Sequence, residues 1–277
     1  MGSAVTLRLW LNGGTQMAAL TKPPDAGVLG AFIAKLRNLG LDRTEELQPL
    51  LGLVKVKRGI SRGEDILSPY SSSKHLTVLL TGIACLYKRL EDGSRQICTF
   101  LYAGDFCDLH RHVLRNPDPG LAVGALSDCS VGIICYKDLD QALEQHPKLS
   151  LALWRSTMLE ASIFRERLLH LSRRPALERV AHLLCEQLAR RDAADISDAI
   201  IPLTQIDLAD AAGLSVVHVN RTFQELRKLG VLSENGRAID VVNRKGLVDI
   251  AKFDPCYLDM PKLLFQWQVH IEGAVVD

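Results

Sequence analysis

No cysteine precedes residue 85, and the seven present, at 85, 98, 107, 129, 135, 185 and 256, include no pair at the two-to-four-residue spacing of zinc or thioredoxin-type motifs. An odd, irregularly spaced set in a chain of 277 residues, long enough to bury its own cores, excludes a disulfide framework. It points instead to reduced thiols in a cytosolic protein. Charge of one sign is also lacking: 33 Lys and Arg stand against 32 Asp and Glu, a net +1 that excludes a generic basic coat for nucleic acid. Apolar content of 47% excludes a disordered chain. Long hydrophobic runs are missing. Leu7 to Leu11 is too short for a signal-peptide core, and nothing approaches the roughly 18 apolar residues of a membrane span. Met1-Gly2-Ser3-Ala4-Val5-Thr6 matches the loose myristoylation pattern that many unmodified starts share, and Met17 is an equally good initiator. Finally, there is no G-x-x-x-x-G-K-[ST], H-E-x-x-H or G-x-S-x-G, so no enzyme activity is expected.

The length predicts two domains. From about Val54 to Tyr136 the chain reads as short strands, with Leu76 to Leu80, Ala84 to Leu90 and Gln96 to Tyr102 separated by glycines at 82, 93 and 104. Such spacing argues for an antiparallel sandwich or jelly roll. Glu91-Asp92-Gly93-Ser94 is a hairpin turn. Beyond Tyr136, Asp138 to Gln145 is a short helix, and Lys148 to Ser172 is a long one free of glycine and proline. On it Leu151, Trp154, Met158, Ala161, Arg165 and Leu168 are spaced 3, 4, 3, 4 and 3, a heptad stripe that suits a parallel dimer, or else packing within its own domain. Arg165 interrupts the stripe and calls for a rim position or an acidic partner such as Glu166 of the other chain. Pro175 marks a boundary, after which Ala176 to Arg190 is amphipathic with Val180, Leu183, Leu184 and Leu188 inward.

The specific signal lies further on. Thr204 caps a helix with Asp207 in the position of a capping box, Gly213 allows a sharp turn, and Ser215 caps a second helix from Val216 to Leu229. Val219, Phe223 and Leu226 face inward there, leaving Val217, His218, Asn220, Arg221 and Gln224 outside. Val231-Leu232, Asn235-Gly236 and Ala238 to Val241 then make a wing hairpin. A second helix presented this way enters a major groove, where Arg reads guanine, Asn reads adenine and Val217 touches a thymine methyl. The candidate DNA-contacting set is Thr204, Gln205, Ser215, Val217, His218, Asn220 and Arg221. Between Ser215 and Lys245 six positive residues (Arg221, Arg227, Lys228, Arg237, Arg244, Lys245) face three negative ones (Glu225, Glu234, Asp240), a local excess hidden by the whole-chain balance.

Over about residues 40 to 250 the sequence resembles the Crp/Fnr family of bacterial transcription regulators. The resemblance rests on the Gly82, Gly93 and Gly104-Asp105-Phe106 turns, on Arg174-Pro175-Ala176-Leu177-Glu178-Arg179-Val180-Ala181, and on Leu203-Thr204-Gln205 through Arg221-Thr222-Phe223-Gln224-Glu225-Leu226. It implies an α+β chain: an N-terminal extension and helix (1–40), an antiparallel β-roll sensor (41–136), a short helix and long dimerisation helix (137–172), a winged helix-turn-helix (173–250) and a tail (251–277). It further implies a cytoplasmic, non-enzymatic homodimer that binds two-fold symmetric double-stranded DNA and touches RNA polymerase, with Leu151, Trp154, Met158, Ala161 and Leu168 between the protomers.

The departures narrow the signal. After Gly104-Asp105-Phe106 stands Cys107-Asp108-Leu109-His110 where cyclic-nucleotide binders carry Gly-Glu-Leu, and Pro119-Gly120-Leu121-Ala122 occupies the region of their Arg-Ser pair. Without that arginine a cyclic phosphate loses its main charge-assisted bonds, so cAMP is not the expected effector. The N-terminal cysteine cluster of the iron–sulfur members is absent. Cys107, Asp108 and His110 mark the candidate effector pocket. Haem iron on Cys107 and His110, or thiol chemistry at Cys107, are the specific alternatives to an unidentified small ligand or to none. In the recognition helix Val217 replaces the family's common glutamate, and Arg221 keeps its arginine. The tail after Asp254, with apolar Leu263 to Ile271, either packs on the DNA domain or extends from it.

Overall fold

The computed structural model describes residues 27–69, 73–114, 120–193, 200–234 and 238–260. The two start candidates, Met1 and Met17, together with Pro119, the Asn235-Gly236 wing turn, Arg237 and Leu263 to Ile271 lie outside them.

Two short helices, α1 (Gly30–Asn38) and α2 (Thr44–Leu51), lead into seven strands, β1 (Lys55–Ile60), β2 (Asp65–Leu67), β3 (His75–Thr81), β4 (Ile83–Arg89), β5 (Arg95–Tyr102), β6 (Leu121–Ala125) and β7 (Cys129–Cys135), with α3 (Leu109–Val113) between β5 and β6. They form two antiparallel sheets, ordered β1-β7-β3 and β2-β6-β4-β5. Leu79 pairs with Val131 in the first sheet, and Cys85 pairs with Phe100 in the second. Side chains from both sheets, among them Leu79, Leu86, Leu101, Val123 and Val131, meet in one apolar cluster, as a roll requires. The β4–β5 hairpin closes over Leu90 to Ser94, where Leu90 N donates to Ser94 O at 2.8 Å and Ser94 N donates to the Asp92 carboxylate at 2.9 Å. Gly104 holds a φ of +99°, and a Cβ there would lie 2.7 Å from the Ala31 carbonyl, so the turn after β5 admits only glycine.

Helix α4 (Tyr136–Gln145) is followed by the 27-residue α5 (Pro147–Arg173), which begins on a proline whose missing N–H costs nothing in the first turn. One face of α5 buries Leu149, Ala152, Leu153 and Ile163 against the roll. The opposite face carries the heptad stripe: Leu151, Trp154, Met158 and Leu168 are 44%, 63%, 49% and 67% exposed, and Ala161 is half-buried. Arg165 is exposed, as a rim position requires. Glu166 takes its partner within the chain, accepting from His170 at 2.9 Å.

The C-terminal part consists of α6 (Ala176–Ala193), β8 (Ile200–Ile201), α7 (Gln205–Ala212), α8 (Val216–Lys228), β9 (Ile239–Asp240), α9 (Arg244–Ala251) and a 3₁₀ turn (Pro255–Leu258). Three features correct the sequence expectations. First, α6 is not amphipathic in its burial, since His182, Glu186, Gln187 and Arg190 are as enclosed as Val180 and Leu184. The helix lies under β5, α5, α9 and the 3₁₀ turn, so its polar side meets protein instead of water. Second, beside the roll's own cluster, a further apolar cluster runs from Cys85, Ile97 and Phe100 of the roll through Leu184 to Val219 and Phe223 of the helix-turn-helix, so part of the core is common to both halves. Third, the wing takes in a strand that the sequence did not show: β9 pairs with β8, while the segment from Val231 to Ser233 pairs with the segment after Ile239 through the Leu232–Val241 bridge and through Ser233 N to Asp240 O and Val242 N to Val231 O, each at 3.0 Å. The beginning of the tail packs: Phe253 and Leu258 are buried, and Tyr257 donates to Glu186 at 3.0 Å.

Candidate nucleic-acid interface

Helix α7 starts where a side chain can replace the carbonyls its first N–H groups lack. Thr204 Oγ1 accepts from Asp207 N at 3.2 Å, and the Asp207 carboxylate accepts from Thr204 N at 3.0 Å. Aspartate thus fills the place where glutamate or glutamine is usual. Gly213 stops the helix in the left-handed region at φ +62°, turning the chain within a few residues. Ser215 then caps α8 by accepting from His218 N at 3.2 Å.

On α8 the inward residues are Val219, Thr222, Phe223 and Leu226. Ser215, Val217, His218, Asn220 and Arg221 are exposed along one side, Val217 at 64%, and Thr204 is exposed at the start of α7. Gln205 is half-buried and fixed, because Asn220 donates to its side-chain carbonyl at 3.2 Å and Gln224 in turn donates to Asn220 at 3.2 Å. This chain of amides orients Asn220 from the neighbouring helix. Beside α8 an open groove of about 280 Å3 is lined by Ser215, Val217, His218, Arg221 and Glu225 together with Leu177 of α6. The structure therefore brings all seven candidate residues to one surface built from the start of α7 and the first turns of α8. A capped helix N-terminus with exposed Asn and Arg can hydrogen-bond phosphates and base edges together.

The local charge excess is smaller than the residue count implies. Arg244 is held by Asp192 at 2.8 and 3.2 Å, an acid that lies before the counted segment.

The rest of α7 faces the roll. Asp207 meets Arg62 at 2.8 Å and Arg95 at 3.0 Å, and Asp210 meets Arg95 at 2.7 Å. Burial alone raises the Asp207 carboxyl, but hydrogen bonds from Thr204 and Arg95 and the Arg62 charge hold it below the usual carboxylate range. Arg190 of α6 reaches Asp105 at 3.4 Å, and Tyr102 donates to Gln187. These contacts were invisible in the sequence, where Asp207 reads only as a cap and its partner Arg95 is 112 residues away.

The candidate effector residues are less accessible than expected. Cys107 is 4% exposed, and burial, followed by Asp108 and Asp105, pushes its thiol well above the ordinary cysteine range. Such a buried thiol is not poised as a free thiolate for oxidants, which argues against thiol chemistry at Cys107. Asp108 is buried, and its Oδ1 accepts from Thr77 N at 2.7 Å. His110 is half-buried on α3. A neighbouring cavity of about 40 Å3, between the roll and α5, is lined by Lys35, Thr99, Asp105, Ser156, Glu160 and Arg190 among others.

Comparisons with known proteins agree with this surface. A family model, the Crp-like helix-turn-helix domain, matches residues 178–250. A probable transcriptional activator of Rhizobium leguminosarum bv. viciae is 31% identical over 189 residues, covering 67% of this chain and 77% of its own length. The nitrogen fixation regulation protein FixK of Bradyrhizobium diazoefficiens is 30% identical over 177 residues, covering 62% of this chain and 72% of its own. Among solved structures, FixK2 from Bradyrhizobium japonicum superimposes with a TM-score of 0.62 at 28% identity, covering 71% of this chain and 96% of that one. These relatives are transcription regulators and not enzymes, and no helix among the described residues is long and apolar enough to cross a membrane. A β-roll, a long helix and a capped helix-turn-helix whose second helix stands exposed, in a sequence this similar to known regulators, place the chain in the Crp/Fnr family of DNA-binding transcription regulators.

Proposed function

We propose that this regulator binds a two-fold symmetric promoter site as a homodimer, that α8 reads the bases, and that the β-roll carries the signal input. Under this reading, residues 41–136 sense, 137–172 dimerise and 173–250 bind DNA. The observation that supports it most is the exposed row Val217, His218, Asn220 and Arg221 on a helix whose other face is wholly buried. Arg221 contacts a guanine, Asn220 and Val217 contact neighbouring bases, and Thr204, Gln205, Ser215 and His218 hold the phosphates or base edges beside them.

Dimerisation through Leu151, Trp154, Met158, Ala161 and Leu168 accounts for four large apolar side chains left in water on one face of α5. It also matches a palindromic site, because two recognition helices must sit about one DNA turn apart. RNA polymerase is the expected partner at the promoter, and the cytoplasm the expected location. The signal enters through the β-roll, and cAMP is not the expected effector, because no arginine stands where a cyclic phosphate would need one.

Sedimentation of the full chain tests the dimer. The wild type is expected at twice the 30.6 kDa chain mass and Trp154→Glu at the chain mass. A wild-type monomer at micromolar concentration overturns it. Fluorescence anisotropy on DNA from upstream of its own gene is expected to show a steep salt slope and strong preference over random DNA.

A further inference from the structure

The break between α5 and α6 at Arg174-Pro175 brings together three side chains that DNA binding does not use. Glu166 and His170 lie one turn apart on α5, and His182 comes from the second turn of α6. His170 Nε2 lies 2.9 Å and His182 Nε2 3.9 Å from Glu166 Oε1. One ligand atom from each of the three residues falls within 4.8 Å of the other two. The two imidazole rings stack with centroids 3.5 Å apart.

Both histidine side chains are only 4% exposed, so the cluster is closed to bulk water, and each turns its Nε2 toward the Glu166 carboxylate. His170 Nδ1, on the other side of its ring, is sealed from solvent with no hydrogen-bond partner among the described residues. Two guanidiniums flank the site: Arg167 is paired with Glu186 at 3.3 Å, and Arg174 lies 3.8 Å from Glu178 and 4.0 Å from Glu166, whose carboxylate an ion would share with it.

We propose that Glu166, His170 and His182 bind one divalent first-row transition-metal ion, which ties the end of α5 to α6. Two imidazoles and a carboxylate suit zinc and its neighbours, whereas magnesium and calcium prefer all-oxygen shells. Binding requires the three side chains to turn until each ligand atom lies about 2.0–2.2 Å from the ion. The ion cross-links the long helix to the first helix of the DNA-binding half, and so stiffens the joint that sets where α8 points. That regulatory consequence rests on the DNA-binding reading, whereas metal binding itself does not.

The full chain, stripped with EDTA, is titrated with Zn2+ and with Co2+. One ion per chain is expected, with Co2+ ligand-field bands but no thiolate-to-cobalt charge-transfer band, and with no competition from Mg2+. Glu166→Gln, at a partly exposed position, is expected to weaken binding at least about tenfold, and His170→Gln to abolish it. Cys256→Ser should leave it unchanged. Circular dichroism checks that each variant is folded, and Glu166→Gln decides the matter if His170→Gln is not. Absence of saturable Zn2+ binding in the micromolar range overturns the site, as does binding unaffected by Glu166→Gln. A charge-transfer band that vanishes in Cys256→Ser also overturns it, by moving the ion to an exposed thiol. If metal binds as expected but DNA affinity is the same with and without it, the cross-link stands and its regulatory role falls.

Discussion

On α8, His218, Asn220, Arg221 and Gln224 are exposed, whereas on α6 the chemically similar His182, Glu186, Gln187 and Arg190 are at most 6% exposed. The first group faces water and keeps capacity for an outside partner, although Asn220 and Gln224 each also donate to a neighbouring amide. The second satisfies much of it internally, with Glu186 taking Arg167 and Arg190 at 3.3 Å and Tyr257 at 3.0 Å. What separates them is which face of each helix the rest of the chain covers. Polar residues on a regulator's surface therefore speak of ligands only after the covering elements are known.

The comparison breaks most sharply at Glu186. Glu186→Gln leaves two buried guanidiniums without their carboxylate and is expected to cost about 3–5 kcal/mol of stability, read from urea denaturation. A loss under about 1 kcal/mol would mean that α6 is solvated as the sequence alone suggests. The pH dependence follows from the same group. Burial raises the Glu186 carboxyl, but Arg167, Arg190 and Tyr257 outweigh it and leave it below the usual range. Its contribution is therefore present above the unfolded carboxylate pKa and is lost on acidification through the lower folded value.

At Arg221 the opposite pattern is expected. Arg221→Ala should cost about 1–3 kcal/mol in binding to a specific site while changing stability by no more than about 0.5 kcal/mol, measured by anisotropy and urea titration on the same preparation.

Arg95 lies between these extremes, because it and Asp210 are each 22% exposed at the contact of α7 with the roll. A double-mutant cycle on Arg95→Ala and Asp210→Ala is expected to give a coupling of about 1 kcal/mol, and a coupling near zero would detach α7 from β5.

A pH-dependent effect concerns Asp108, whose carboxyl burial pushes up to about 7 against the Thr77 hydrogen bond and the Arg111 charge. An acid raised in this way stabilises fully below its ordinary value of 3.8 and loses that contribution as pH rises toward about 7. Asp108→Asn is expected to flatten urea midpoints across that window. A slope that survives would assign it to Glu160, raised to about 7 mainly by burial.

Local rules made much of this molecule legible. Glycine spacing located the strands of the roll, Pro147 and Pro175 bracketed α5, and Thr204, Gly213 and Ser215 marked the helix-turn-helix, because caps and turns depend on residues within four positions of one another. The exposed side of α8 followed from its 3.6-residue period. Long-range partners stayed hidden. Nothing near Asp207 announces Arg62 and Arg95, nothing near Glu186 announces Tyr257, and nothing near Glu166 announces His182, because sequence spacing carries no information about elements that meet only after folding. Helix α9 was also missed, although Asn243 caps it by accepting from Gly246 N at 2.9 Å. Its glycine at the third position and short length gave little periodicity to read. Cys107 misled for a different reason. Its position in the turn suggested reactivity, and only its burial among Leu79, Leu101 and Val131 shows a packing role.

Selection of bound DNA from a random-sequence pool by the full-length protein tests base reading by α8 most directly. The expected product is a two-fold symmetric site with one recurrent guanine in each half, with thymine favoured beside it at the position facing Val217. Arg221→Ala is expected to lose the guanine while keeping the symmetry. A pool without a recurrent guanine, or one identical for wild type and Arg221→Ala, would contradict base reading by this helix.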